Sequence, residues 1–321
     1  MSDKTTDTAK QTQDLVSHRP DLGILLKVVA IGLFTIMAGM IKEAVQSVPT
    51  GEAVFFRSFA ALPVILIWLA VRGDLPRGLR TKRPLLHLWR GLVGTTAMGL
   101  NFLGLGMLPL PEATALSYVT PIFTLILAAL MLGERIRLIR ISAVTFGLIG
   151  VLIMLSPRLG SSLQDTALVG ALCILGASAA RGFVQIHLRK MAQIEETAAI
   201  VFYFSLTASL LALLTLPFGW VMPSPVEWML LIGAGLIGGV AQILVTSSYR
   251  FAPASLLAPY DYASMLFAVV IGYVWFAELP TVVMLLGAAV VIAANVIVIL
   301  RERRLGVVRG KAKPLMDPKG G

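Results

Sequence analysis

The sequence predicts an all-α integral membrane protein whose ten transmembrane helices form two inverted five-helix repeats. Composition, a series of long apolar stretches and an internal repeat support this fold class. Hydrophobic residues make up 57% of the 321 residues, charged residues make up 14%, and the mean hydropathy is +0.85. Soluble domains of ordinary composition are far less apolar. The composition therefore places the chain in a bilayer.

An apolar helix needs about 20 residues to cross the hydrocarbon core, and ten such stretches follow one another along the chain. In order, they begin near Leu22, Ala53, Leu85, Ala113, Ile139, Thr166, Ala198, Val226, Ala254 and Val282. The stretches are continuous rather than alternating, which predicts helices and not the strands of a membrane barrel. Most connections are short, so we expect consecutive helices to be antiparallel neighbours.

The second half of the chain repeats the first at a shift of 144 residues. The shift aligns identical residues in several separate stretches: Gly91 with Gly235, Gly94 with Gly238, Pro109 with Pro253, Tyr118 with Tyr262, Phe123 with Phe267 and Glu134 with Glu278. Each copy holds five spans, and this odd number requires the two copies to lie in opposite orientations across the membrane. Inverted repeats of this kind are typical of alternating-access carriers.

The longer polar connection from Ser156 to Asp165 separates the two repeats. We predict a disordered cytoplasmic tail at 1–20, a first repeat at 21–156, an inter-repeat loop at 157–165, a second repeat at 166–301 and a basic cytoplasmic tail at 302–321. The polar residues 1–20 do not resemble a cleaved signal peptide, so the first span is expected to be an uncleaved signal anchor.

The net charge of +10 comes from 27 Lys and Arg residues against 17 Asp and Glu residues. With the amino terminus inside, 22 of the 27 basic residues fall in cytoplasmic segments, whereas the outer loops keep only Lys42 and Arg158. The positive-inside rule thus predicts a multi-pass protein of the cell inner membrane with both termini in the cytoplasm. The predicted partners of this charge are membrane lipids and not nucleic acid. Lys27, Arg57 and Arg181 lie within spans, and Arg181 is expected to extend to the inner interface.

Several other functional classes find no support. The single cysteine, Cys173, allows no intrachain disulfide and no cysteine-based metal site. The histidines His18, His87 and His187 lack ligand spacing. Residues Gly233–Gly238 fit a dinucleotide-binding pattern, but they lie inside an apolar span with no preceding strand. We therefore predict no metal, no cofactor and no enzymatic activity.

Three segments carry a resemblance to a known family. They are Glu52–Arg57; Leu110–Ser117, leading through Pro121 to Gly133–Arg135; and the counterpart in the second copy, from Ala252–Ser255 to Ala277–Glu278. In these segments the chain resembles the EamA family of the drug/metabolite transporter superfamily, from about Leu22 to Leu300. The resemblance implies a cavity enclosed by spans 1–4 and 6–9, with spans 5 and 10 behind them. Where the family often has a proline matching Pro121 in span 9, this chain has Met265.

The repeat and the resemblance together predict a secondary active transporter of a small organic metabolite, either amino-acid-like or another polar or amphipathic solute. A proton or a counter-solute is the predicted coupling partner, since no nucleotide-binding motif supports direct use of ATP. One alternative is an uptake permease for a vitamin or nucleoside-like compound, of the riboflavin or S-adenosylmethionine type. A structural membrane partner without transport is the alternative from another class.

Asp261 is the only acid placed well inside a span, about 10 residues into the ninth, which corresponds to a depth of about 15 Å. A carboxylate that faced lipid there would cost about 2.5 to 3.5 kcal/mol, so we expect Asp261 to face a polar cavity or a partner. Two interpretations follow. Asp261 is either a site for a proton or a substrate amine, or an acid that joins two helices by hydrogen bonds to Tyr or Ser.

Polar residues are predicted to line a solute cavity in both repeats. Asp261 and Ser264 share one face of the ninth span, and the repeat aligns them with Ser117 and Thr120 in the fourth. The alternative is that such small and hydroxyl residues only allow close helix packing. Further predicted lining residues, which offer aromatic faces or hydrogen bonds, are Asn101, Tyr118, Tyr203, Gln242 and Tyr262.

Charged residues near the span ends suggest recognition or gating. Arg57 lies about 7 to 8 Å below the outer end of the second span. It is predicted either to anchor an anionic group of the solute or to form a gate or loop ion pair with Glu52 or Glu112. Glu134 and Glu278 end spans 4 and 9 on opposite membrane faces, where gating or capping interactions are expected.

Overall fold

The computed structural model describes residues 20–81, 83–132, 138–158, 165–191, 195–252 and 257–304, and these ranges are mainly helical. The long helices are α1 (Pro20–Ala44), α2 (Thr50–Val71), α3 (Pro84–Met107), α4 (Leu110–Ser117), α5 (Thr120–Leu132), α6 (Leu138–Leu155), α7 (Thr166–Met191), α8 (Thr197–Leu213), α9 (Pro225–Phe251), α10 (Ala263–Phe276) and α11 (Val282–Arg304). Helices α4 and α5 together form the predicted fourth span, and α10 completes the ninth. The predicted all-α membrane fold with two repeats is confirmed.

Four helices in the described ranges meet the length and hydropathy expected of a membrane span. They cover Asp21–Ala44, Thr50–Val71, Thr166–Leu188 and Pro225–Val245, and shorter apolar helices cover Val144–Leu155, Ala198–Leu213, Tyr260–Phe276 and Val282–Ile297. Large apolar side chains on the outside of the bundle are exposed, such as Ile67, Leu130 and Leu286. A bundle with this surface buries its outer face in lipid rather than in water.

Local sequence signals set several helix ends. Pro84 and Pro225 stand at the first position of α3 and α9, where the missing N–H costs no intrahelical hydrogen bond. Ser224 and Glu227 form a reciprocal capping box at the start of α9, which satisfies two backbone donors at once. Helix α10 ends at Ala277, which adopts a left-handed conformation with a φ of 53°.

Helix packing follows the internal repeat. The contact of α1 with α9 is equivalent, under the repeat, to that of α7 with α3, and the contact of α2 with α9 is equivalent to that of α8 with α3. Two further contacts are their own equivalents, α2 with α8 and α6 with α11, and α4 also contacts α10. Every one of these pairs joins the first repeat to the second. The two repeats therefore share one core, with α6 and α11 packed mainly against each other.

Repeat-matched glycines allow the closest approaches between helices. A methyl group added to Gly235 in α9 would lie 2.6 Å from the Cβ of Ala60 and 2.8 Å from the carbonyl oxygen of Arg57, both in α2. A methyl group at Gly91 in α3 would lie 2.4 Å from Thr207 in α8. Both glycines thus serve close helix packing, in agreement with the small-residue contacts typical of membrane helices.

Candidate functional site

Two helix interruptions lie at equivalent positions in the two repeats. In the first repeat, α4 ends at Ser117 and α5 begins at Thr120, with a turn between them. In the second repeat, a 3₁₀ turn at Ala258–Tyr262 precedes α10. Tyr118 and Tyr262 stand at these interruptions and are 144 positions apart. Each interruption frees backbone polar groups inside the bundle, where they need partners.

Each interruption contains or adjoins a proline, although the two prolines occupy different positions. Pro121 is the second residue of α5, and Pro259 lies inside the 3₁₀ turn. A proline lacks the backbone N–H and clashes with the preceding turn of a helix. Met265 therefore replaces the expected family proline without restoring a continuous ninth helix.

The two tyrosines at the interruptions contact each other. The rings of Tyr118 and Tyr262 are edge to face, with centroids 5.2 Å apart. The Tyr118 hydroxyl shares a 2.8 Å hydrogen bond with Ser264 Oγ and lies 3.3 Å from the Tyr262 carbonyl oxygen, to which it donates. Asn295 Nδ2 in α11 donates to the Tyr118 carbonyl at 3.1 Å. The structure thus brings three predicted residues together, and it adds Asn295, whose sequence signal is an amide inside an apolar span.

Asp261 forms an ion pair across the repeats. Lys27 Nζ in α1 lies 2.7 Å from Asp261 Oδ1, and the side chains are 5% and 51% exposed. The predicted need for a partner is met by a lysine rather than by Tyr or Ser. Ser264 Oγ does donate nearby, but to the Asp261 carbonyl at 2.7 Å. The sequence marks Lys27 as a basic residue inside the first span, but it does not indicate its pairing with Asp261.

Ser117, the equivalent of Asp261, also contacts a cation from the other repeat. Arg181 Nη2 in α7 donates to Ser117 Oγ at 3.0 Å and to Ser178 Oγ at 3.2 Å. The prediction that Arg181 extends to the inner interface is therefore wrong, because these two hydroxyls accept hydrogen bonds from it inside the bundle. Lys27 and Arg181 belong to the first helix of their repeats, so each first helix sends a cation to the interruption of the other repeat.

Thr120 donates a hydrogen bond to the backbone at the first interruption. Its Oγ1 donates to the Ser117 carbonyl at 2.8 Å, one of the backbone groups freed by the break. Thr124 Oγ1 donates in turn to the Thr120 carbonyl at 2.9 Å and lies 3.3 Å from Gln185 Oε1 in α7. Thr120 is buried, with 7% of its surface exposed. These contacts give Thr120 a supporting position behind the tyrosines.

Tyr203 belongs to a separate polar group near the start of α8. Its hydroxyl donates to the Leu79 carbonyl at 3.0 Å, and its ring lies 4.9 Å from the ring of His87. His87 Nε2 is 3.4 Å from Glu195 Oε2, and both side chains are buried. The structure therefore places Tyr203 with His87 and not with the tyrosine pair.

Asn101 in α3 and Gln242 in α9 are partly buried and take part in none of the interactions described above.

Arg57 is buried between helices. It is 7% exposed, and a methyl group added to Gly238 in α9 would lie 3.4 Å from its Nη2. The predicted ion pair with Glu52 or Glu112 is absent from the ion pairs of the described ranges. Glu52 instead accepts a hydrogen bond from the backbone N–H of Val221 at 3.0 Å.

Glu278 joins the two repeats where α1 and α10 end. We name this end the outer end, after the orientation that the charges predict. Glu278 Oε2 accepts from the backbone N–H of Leu110 at 2.8 Å, and its Oε1 lies 2.9 Å from Lys42 Nζ. Lys42 also donates to the Leu108 carbonyl at 2.6 Å. We call Lys42, Leu108, Leu110 and Glu278 the outer cluster. Lys42 lies in the last turn of α1 rather than in the predicted loop.

The outer cluster has the geometry of a helix cap. Leu110 is the first residue of α4, and the residue before it, Pro109, offers no side-chain cap. A carboxylate at this position satisfies an unpaired N–H and interacts favourably with the helix dipole. The contacts of Glu278 are therefore those of a cap on α4. A role of Glu278 in gating stays a prediction. Glu134, its equivalent, lies outside the described residues.

Known proteins are similar to this chain in sequence. The chain matches the EamA-like transporter family over residues 21–156 and 168–300. It is 30% identical to the pseudopaline exporter CntI of Pseudomonas aeruginosa (strain UCBPP-PA14), over 85% of this chain and 94% of the exporter. It is 28% identical to the S-adenosylmethionine uptake transporter of Rickettsia prowazekii (strain Madrid E), over 79% of this chain and 84% of that protein.

Two further matches agree with this family and fold. The riboflavin transporter of Vibrio cholerae serotype O1 is 28% identical, over 86% of this chain and 92% of that protein. A solved crystal structure superposes with a TM-score of 0.63 at 21% identity, covering 90% of this chain and 99% of the other; at this identity it supports the fold alone. The matched relatives are small-molecule transporters and not enzymes. With both repeats matched along their length, the chain belongs to the EamA-like transporter family.

Proposed function

We propose that this chain is a secondary active transporter that carries a small organic solute across the inner membrane by alternating access, with both termini in the cytoplasm. The observation that carries the proposal is the pair of equivalent helix interruptions, each with a polar side chain in contact with a cation from the other repeat. In transporters with inverted repeats, solute sites typically lie near the bilayer midplane at such discontinuous helices.

The groups at the interruptions suit an amino-acid-like or amphipathic solute. Asp261 is half exposed although Lys27 is buried, so the carboxylate can exchange its lysine partner for a proton or for a cationic group of the solute. Tyr118 and Tyr262 offer aromatic faces beside these charges. Such a combination of apolar faces and a few placed polar groups is typical of small-molecule sites.

The aromatic pair also favours a second candidate, an uptake permease for a vitamin or nucleoside-like compound. A flat ring can stack on Tyr118 or Tyr262, and two matched relatives are named as transporters of S-adenosylmethionine and riboflavin.

Alternating access requires the outer end to open and close. Pro111 in α4 and Gly272 in α10 pack against each other across the repeats, because a methyl group added to Gly272 would lie 3.0 Å from the Pro111 ring. Together with the outer cluster, this contact supports a state that is closed on the outer side. A reversible cross-link at this contact should therefore stop a transport cycle.

The test uses a Cys173→Ser background with Pro111→Cys and Gly272→Cys. Small solutes in the medium and in the cells are profiled by mass spectrometry, with and without overexpression. We expect overexpression to redistribute one class of organic solute, oxidation of the cysteine pair to abolish the effect, and reduction to restore it. Either single-cysteine variant is the control. Absence of any redistribution would contradict transport, and transport that persists after complete cross-linking would contradict alternating access.

A further inference from the structure

Two arginines are buried inside the bundle without a counter-ion in the described part of the chain. Arg57 in α2 and Arg90 in α3 are 7% and 8% exposed. Arg57 Nε and both Nε and Nη1 of Arg90 are shielded from solvent and have no hydrogen-bond partner. The ion pairs of the described ranges involve other residues. The charge pattern predicts a cytoplasmic position for Arg90, which lies near the start of the third span, but the structure places it inside α3.

The two arginines occupy equivalent interfaces. Arg57 extends from α2 to Gly238 in α9, where an added methyl group would lie 3.5 Å from its Nε. Arg90 extends from α3 to α8, where its guanidinium carbon lies 4.2 Å from the centroid of the Phe204 ring. An added methyl group at Gly94 would lie 3.7 Å from Arg90 Nη1. Gly94 and Gly238 are aligned by the repeat, so a glycine lies beside each guanidinium group.

The helices that carry the two guanidinium groups, α2 and α3, contact each other. Burial of a charge without a partner is costly, and two neighbouring cations increase the cost. Neither side chain can relieve it by extending to an interface, because more than nine-tenths of each is covered. The Phe204 ring offers Arg90 a cation–π contact, but it satisfies none of the N–H donors.

We propose that Arg57 and Arg90, the arginine pair, bind an oxyanion group of the transported solute. The planar guanidinium fork matches the two oxygens of a carboxylate or a phosphate and stays charged when buried. An anion between α2 and α3 would neutralise both cations and satisfy their free donors. This inference rests on the proposed transport function and names its substrate class as anionic, with carboxylate and phosphate as the two sources of the same chemistry.

The test measures thermal unfolding of the purified full-length protein in detergent. The probes are sodium succinate, sodium glutamate and sodium phosphate, compared with neutral succinamide and with sodium chloride at equal ionic strength. We expect at least one oxyanion to raise the unfolding midpoint in a concentration-dependent manner, and succinamide and chloride to have no such effect. Stabilisation by the carboxylates alone or by phosphate alone identifies the anionic group.

Variants locate the effect. Arg57→Gln and Arg90→Gln should each raise the half-maximal anion concentration by about tenfold or more, since each removes charged hydrogen bonds. The matched control is Arg72→Gln, because Arg72 is exposed at the end of α2 and stacks on Trp68; it should bind as the wild type does. Without anion, both buried-site variants should unfold at a higher temperature than the wild type, because each removes an unneutralised charge. A merely structural arginine would give the opposite shift.

Three results overturn the inference: no oxyanion stabilises the wild type above chloride, Arg57→Gln and Arg90→Gln keep the wild-type anion response, or Arg72→Gln loses it equally. If one arginine variant fails to fold, the wild-type response to oxyanions and the response of the other variant still decide the inference. Transport is judged separately by solute redistribution in cells. Redistribution without anion binding removes this inference and leaves the proposed function, whereas anion binding without redistribution removes the proposed function.

Discussion

Lys27, Arg181 and the arginine pair differ in their degree of neutralisation. Lys27 faces the carboxylate of Asp261, Arg181 faces the hydroxyls of Ser117 and Ser178, and the arginine pair has neither kind of partner in the described ranges. Because an unneutralised charge is expensive in a low-dielectric interior, these differences separate scaffold contacts from groups that are available to a ligand.

The Lys27 and Asp261 pair gives a prediction at the scale of the residue. Asp261→Asn leaves the buried ammonium of Lys27 without its counter-charge, so the free energy of unfolding should fall by about 1 to 3 kcal/mol, less than for a fully buried pair because Asp261 is half exposed. Combining Asp261→Asn with Lys27→Met should restore most of this loss. Thermal unfolding of the two single variants and the double variant measures the coupling.

The matched control is Asp74→Asn, since Asp74 is an exposed acid outside the helices and should change neither stability nor transport. We expect Asp261→Asn also to lose most solute redistribution while it remains folded. Additive effects of the two substitutions would contradict the pairing, and full transport by Asp261→Asn would contradict its role in coupling or binding.

The members of these pairs are recognisable in the sequence, but the pairs themselves are not. Asp261 stood out as an acid inside a span, and Lys27 and Arg181 as cations inside spans. Their partners lie in the other repeat, far away in the chain, so the contact depends on helix packing that no local pattern encodes. Arg90 was missed for a different reason: its position near the start of a span resembles that of an interfacial arginine.

At the scale of the element, the inverted pairs of helices are held at glycines. Gly235 meets the backbone of α2, including the carbonyl oxygens of Phe56 and Arg57. Gly99 in α3 has open space around it, because an added methyl group would contact nothing within 4 Å. Two glycines in apolar helices therefore have opposite environments.

Alanine substitution of these two glycines should give opposite results. Gly235→Ala should lower the free energy of unfolding by about 1 to 3 kcal/mol, because the methyl group has to displace backbone rather than a flexible side chain. Gly99→Ala should raise it by up to about 1 kcal/mol, because alanine favours the helix and meets no neighbour. Thermal unfolding of both variants checks this prediction, and equal shifts would contradict the packing of α2 against α9.

The spans themselves were predictable, since hydropathy alone placed their starts close to the observed helix starts, as Leu22 against Pro20 and Thr166 against Thr166 show. The interruption before α10 was not. Hydropathy does not report a break inside an apolar run, and Pro259 is offset from the position that the first repeat suggests. Only the folded chain shows that the two prolines lie at breaks in the same region of the two repeats.

At the scale of the whole molecule, the two repeats meet at the interruptions and again at the outer cluster. The shared core includes residues of both repeats, such as Ile41, Val119 and Leu231. Glu278 takes part in two polar contacts that join the repeats at the outer end. The balance between closed and open states should therefore depend strongly on this one carboxylate.

Glu278→Gln should shift the protein towards a state that is open on the outer side. The substitution removes the charge that pairs with Lys42 and weakens the cap on α4. Spin labels on Met107→Cys and Leu279→Cys in a Cys173→Ser background report the distance across the outer end. We expect a longer distance to become more populated in Glu278→Gln. Glu43→Gln is the control, an exposed acid one residue from Lys42, and an unchanged distance in both variants would contradict gating by Glu278.

Contact between Tyr118 and Tyr262 has a geometric consequence for the engineering of new specificities. Equivalent residues of an inverted repeat can touch only where the pseudo-twofold axis passes between them, and under the proposed alternating access this axis is common to the inward-facing and outward-facing forms. A substitution at either tyrosine therefore alters the affinity seen from both sides of the membrane together. A substitution at Asp261 or Ser117, which differ between the repeats, should alter the apparent affinity on one side more than on the other, while the gradients still set the direction of net flux.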